Sequence, residues 1–101
     1  MAFLMDPRIE KILEFLERER IRATYRAVGE AIGVSAHTLG TMLGKRNPRA
    51  SWVVYAATGE PAGYRPFEKH PALYEKAEII STGHDLVQRM KQLGGNKRHP
   101  K

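Results

Sequence analysis

The stretch Ala23 to Arg46 constrains the fold most, because in it two short amphipathic segments meet at a Gly-Val-Ser corner. Thr24 is placed to cap a first helix, its hydroxyl accepting from an early backbone N–H, and Val28, Ala31 and Ile32 share one face at helical spacing. Gly33 ends that helix, since a residue without Cβ enters the left-handed region at little cost. Ser35 caps a second helix with the apolar stripe Leu39, Met42 and Leu43, and Gly29 falls where the two helices cross. The pattern is that of a helix-turn-helix. In such a unit the second helix enters the major groove with its N-terminal residues first. Ser35, Ala36, His37, Thr38 and Thr41 are therefore the candidate base-reading residues, with Tyr25 and Arg26 at the start of the preceding helix. The alternative is an αα-corner that only builds a core.

In front of this unit, Asp6-Pro7 is a good helix start, and Ile9, Ile12, Leu13 and Leu16 form one stripe of a helix running to about Arg20. Ile21 and Arg22 make a short connection into the helix-turn-helix, with room for a single extended pairing. Behind it, Lys45-Arg46-Asn47-Pro48-Arg49 is a basic loop in which Lys45, Arg46 and Arg49 are candidate phosphate contacts. Ser51 to Ala57 is rich in β-formers, Thr58-Gly59-Glu60-Pro61 reads as a turn, and Ala62 to Arg65 as a returning strand. Strand alternation puts Trp52 and Val54 inward, opposite Val53 and Tyr55. The expected fold is mostly α with a small β-hairpin: a winged helix-turn-helix in a single domain over residues 1–93, followed by a basic tail, 94–101. Pro71 to about Lys76 reads as a short helix with Leu73 and Tyr74 packing, and Glu78-Ile79-Ile80 as a brief strand. Thr82 or Ser81 then caps a last helix from about Gly83 to Leu93, with Leu86, Val87, Met90 and Leu93 inward. The tail has no apolar residue to bury and reads as disordered.

A chain of 101 residues has room for one modest core. No apolar run is long enough to span a bilayer and the first residues do not form a signal peptide, so the expectation is a cytoplasmic protein without membrane contact. The absence of Cys excludes disulfides and thiolate metal sites, and His37, His70, His84 and His99 lack ligand-like spacing. Neither a metal, a cofactor nor a small-molecule substrate is expected. The formal charge of +6 is uneven: Arg22 to Arg49 and Ile79 to Lys101 each carry +4, whereas Asp6 to Arg20 and Glu60 to Glu78 each carry −1. Positive charge that coincides with a helix-turn-helix suits double-stranded DNA as the partner.

Catalytic constellations are missing from the sequence. Ser51-Trp52 leads into an apolar run rather than a nucleophile elbow. Glu10, Glu14 and Glu17 alternate with basic residues on a solvated helix face. Gly59 and Gly63 are turn glycines without a helix behind them to hold a phosphate. Trp52, Tyr55 and Tyr64 read as core or sheet packing in preference to a base-stacking platform.

The order Thr24-Tyr25, Val28-Gly29-Glu30, Leu39-Gly40, Asn47-Pro48, Val53-Val54, Ala56 and Gly59 to Tyr64 resembles the C-terminal DNA-binding domain of the O6-alkylguanine-DNA alkyltransferases and their non-enzymatic alkyltransferase-like relatives. The resemblance spans Ile21 to Tyr64, about two-fifths of the chain. It implies a winged helix-turn-helix that enters the minor groove, flips a damaged guanine out, and transfers the alkyl group to a Cys in a Pro-Cys-His-Arg segment. With Val53-Val54 in register that segment falls on Arg49-Ala50-Ser51-Trp52, so the nucleophile position is Ala50. No thiolate is available, and alkyl transfer to Cys is chemically impossible here. The resemblance also places the Tyr that crowds the flipped nucleotide's phosphate on Tyr25 and the intercalating Arg on His37, and the loop after Asn47-Pro48 is shorter. What it implies is a DNA-binding protein that is not an enzyme and recognises alkylated or otherwise damaged DNA. A small helix-turn-helix transcriptional regulator and a winged-helix protein-interaction module are the alternatives.

Overall fold

The computed structural model describes residues 6–44, 47–61 and 63–94. Helix α1 (Pro7–Glu19) starts where Asp6 accepts from the Arg8 backbone N–H and buries Ile9, Ile12, Leu13, Phe15 and Leu16. It ends at Arg20, whose φ of 56° turns the chain back toward the core. Strand β1 (Arg22–Thr24) leads directly into α2 (Tyr25–Ile32), because the Thr24 hydroxyl accepts from Ala27 N and switches the backbone from extended to helical. Gly33 closes α2 at φ 81°, and Ser35 opens α3 (Ala36–Leu43) by accepting from Thr38 N. The helix-turn-helix caps are those expected, and Leu39 and Leu43 are buried with Met42 half-buried.

The wing is a correction. Strand β2 (Val53–Val54) pairs with β1 in parallel, Ala23 opposite Val53 and Thr24 opposite Val54. Strand β3 (Ile79–Ile80) lies parallel on the other side of β1, with Arg22 opposite Ile79 and Ala23 opposite Ile80. The protein is therefore an α/β fold with a three-stranded, all-parallel sheet ordered β2-β1-β3 and no hairpin among the described residues. Burial gives the reason. Val53 and Val54, successive strand residues that point to opposite faces, are both inaccessible, the mark of a strand covered on both faces, whereas a wing exposes alternate residues. Ser51 and Trp52 belong to a 3-10 turn (Ala50–Trp52), so only Val53 and Val54 are extended. After Tyr55 the chain folds back through Gly59 N to Tyr55 O and Tyr55 N to Glu60 O, and this loop adds no second ladder among the described residues.

The Glu78-Ile79-Ile80 expectation holds as β3, and the Arg22 connection is the central strand. The helix expected from Pro71 is instead a pair of i to i+3 turns, Leu73 N to His70 O and Glu75 N to Ala72 O. Leu73 enters the core as expected, but Tyr74 stays at the surface. Helix α4 (Gly83–Arg89), capped by Thr82, passes into a π turn (Met90–Gly94). Leu86 is buried and Val87 exposed; the Leu93 side chain and the basic tail beyond Gly94 lie outside the described residues. Helix α4 packs on α2 with Gly83 against the Glu30 and Ala31 backbone. No helix is long and apolar enough to cross a membrane among the described residues.

Candidate nucleic-acid interface

Ser35, Ala36, His37, Thr38 and Thr41 all lie on the exposed side of α3, while Leu39 and Leu43 hold its other side in the core. The amphipathic split thus brings together the base-reading candidates. The Ser35 hydroxyl accepts from Thr38 N at 3.1 Å and donates to Thr38 Oγ1 at 3.0 Å, which leaves the Thr38 hydroxyl proton directed elsewhere. Thr41 Oγ1 donates to the His37 carbonyl at 3.5 Å. Neither a carboxylate nor a cation belongs to α3, so its outer face presents short hydroxyls, an imidazole, Ala36 and Gly40.

Gly40 was missed among the candidates. A Cβ built on it meets nothing within 4 Å among the described residues, so their packing makes no demand for glycine there. Gly29 is the opposite case: a Cβ there would lie 2.6 Å from the Val34 carbonyl oxygen, and the turn between α2 and α3 requires its absence. The signal for Gly40 was present in the sequence as an internal helix glycine off the buried stripe.

At the start of α2, the half-buried Tyr25 ring lies 5.3 Å from that of Tyr55, tilted by 43°. Arg26 is exposed beside it and donates to Glu30 Oε2 at 2.8 Å. Glu30 also accepts the Gly83 N–H at 2.8 Å; this bond, and then Arg26, hold its carboxyl below the ordinary range.

Of the basic loop's candidates, Arg49 is the one whose surroundings are described. Arg49 turns onto α1, 2.8 Å from Glu10, with Glu14 and Glu17 at 3.9 and 3.8 Å. The three carboxylates share a face because they are three to four residues apart, and they take up the charge assigned to a phosphate. Lys45 and Arg46 lie outside the described residues. Asn47 organises the turn into β2 by accepting from Ala50 N at 3.0 Å, and the buried Ser51 hydroxyl donates to Pro48 O.

Ala50, the position assigned to the nucleophile, is buried, and Trp52 behind it packs its ring 4.9 Å from that of His70. The Trp52 indole N–H has no hydrogen-bond partner among the described residues. His70 accepts from Ala72 N through Nδ1 and faces Glu17 at 3.4 Å through Nε2. Ser51 meets only the His70 backbone N–H, at 2.9 Å, not its ring, so these residues do not assemble a triad. A groove of about 330 Å³ between α1, α2 and the end of α4 has an apolar floor that includes Ile12 and Ile32, with Lys11 and Lys91 at its rim, and it contains no α3 residue. Clusters of three or more potential metal ligands are absent among the described residues. The chain matches no protein-family model, no curated protein and no solved structure.

Proposed function

We propose that this chain is a non-enzymatic DNA-binding protein that lays the outer face of α3 against duplex DNA and recognises an alkylated guanine in the manner of alkyltransferase-like proteins. The observation that carries the reading is Gly40. A glycine inside a helix costs about 0.5 to 1 kcal/mol relative to alanine. No described residue requires it at this position, and the flat strip that it forms with Ala36 suits close approach by a backbone or groove outside the molecule. Round the helix from that strip come His37 and then Thr41, with Thr38 further round, and an uncharged helix face avoids repelling phosphates. The net charge of +6 supplies the long-range attraction. The sequence resemblance supports damage recognition, with His37 as the wedge beside the displaced base and Tyr25 against its phosphate.

Matched duplexes with and without O6-methylguanine test this reading by fluorescence anisotropy. Tighter, salt-sensitive binding to the modified duplex is expected. His37→Ala should weaken that complex more than the unmodified one, and His37→Arg should strengthen it. Equal affinity for both duplexes in all three proteins would remove lesion recognition, and no binding at low salt would remove DNA binding altogether.

A further inference from the structure

Tyr55 departs from the sequence expectation that the aromatics of this segment are packing residues. Trp52 is inaccessible and Tyr64 half-buried, whereas Tyr55 keeps 51% of its surface in solvent. Its position follows from the sheet. Thr24 and Val54 are register partners at the carboxyl ends of parallel strands, so the next residue of each chain segment, Tyr25 and Tyr55, emerges at the same edge. There the two rings meet at 5.3 Å with a 43° tilt. This edge is also where the helix-turn-helix begins, because Thr24 caps α2.

Tyr55 is held in place by its backbone, whose N–H donates to Glu60 O at 2.9 Å and whose carbonyl accepts from Gly59 N at 2.8 Å. Tyr55 thus presents an aromatic ring on a backbone held by two hydrogen bonds, backed by a second ring and with half of its surface in water. A tyrosine side chain has only two χ angles to order, so contact with a partner has a small entropic cost.

Resting on the DNA-binding reading above, we infer that Tyr55, backed by Tyr25, is a stacking surface for a nucleobase displaced from the duplex. Base stacking on an aromatic side chain is independent of base identity, because every base offers a π face. The site therefore recognises extrusion itself rather than a modified atom, and it adds to whatever α3 reads.

The experiment compares two duplexes, one matched and one carrying a single unpaired adenine, which is already displaced. Anisotropy titrations of the full chain should show tighter binding to the bulged duplex. Tyr55→Leu keeps an apolar cover on Tyr25 but removes the π face, and it should lower the ratio of bulged to matched affinity on the order of tenfold. Tyr55→Phe should keep the ratio, and thermal melts establish that both variants fold. A ratio unchanged in Tyr55→Leu, or equal affinity of the parent for the two duplexes, overturns the stacking role while leaving DNA binding intact. Failure of the parent to bind either duplex overturns both.

Discussion

Gly40 and Gly29, eleven positions apart in one helix-turn-helix, carry the same side chain for opposite reasons. The Val34 carbonyl lies 2.6 Å from where a Gly29 Cβ would stand, and that backbone belongs to the turn itself. Gly29→Ala should therefore destabilise by about 1 to 3 kcal/mol in urea denaturation, as overpacking does. Gly40 looks into open space, so Gly40→Ala should raise stability by about 0.5 to 1 kcal/mol and at the same time weaken duplex binding. A stabilised variant with undiminished binding would remove close approach as the role of Gly40. Trp52 is the largest inaccessible side chain, and Trp52→Ala should cost about 3 to 5 kcal/mol in the same assay. The inward orientation of Trp52 was legible in its sequence context, but the alternation argument that supported it was not sound, since Val53 and Val54 are both buried too.

The elements whose ends carry their own chemistry were readable from the chain. Thr24, Gly33, Ser35 and Thr82 are cap residues acting within three or four positions, and each does so where expected. The sheet was not readable in the same way. Val53-Val54 and Ile79-Ile80 are separated by more than twenty residues, and which strand edge each pairs with is decided by tertiary packing. The absence of polar alternation through Trp52, Val53 and Val54 was the available signal for a strand covered on both faces. Arg49 shows the same limit at the surface, because its partners Glu10, Glu14 and Glu17 come from a helix some thirty to forty residues earlier. Arg49→Ala should accordingly leave the salt dependence of DNA binding unchanged, whereas loss of a phosphate contact lowers the slope by about 1. Helices α2 and α4 are joined by Glu30, whose carboxylate accepts the Gly83 N–H. That bond, with Arg26, lowers the folded-state pKa below the ordinary 4.5, so the stabilisation is present above 4.5 and is lost as pH falls through the folded value. Thermal melts should show the parent more stable than Glu30→Gln at pH ~7, with the gap closing under acid; a gap that widens on acidification would contradict the clasp.

Across the whole molecule, the sheet and α1 form a buried scaffold, and α3 projects a neutral, shallow face from it. Part of the positive charge is offset at the surface, since Arg26 and Arg49 both pair with carboxylates. On the DNA-binding proposal, recognition through α3 would depend on fit to the groove, with the net charge of +6 acting at a distance. The candidate face of α3 was legible because helix-turn-helix spacing is local, and Gly40 left its signal there as an internal glycine off the buried stripe; Tyr55 became visible only when the surface that it leaves open was known. The most direct test is to record amide chemical shifts of the labelled chain while a matched duplex is added at low salt. Engagement through α3 predicts the largest perturbations at Ser35, Ala36, His37, Thr38, Gly40 and Thr41. Perturbations concentrated on the outer face of α1 or around Lys11 and Lys91, with α3 unmoved, would contradict it.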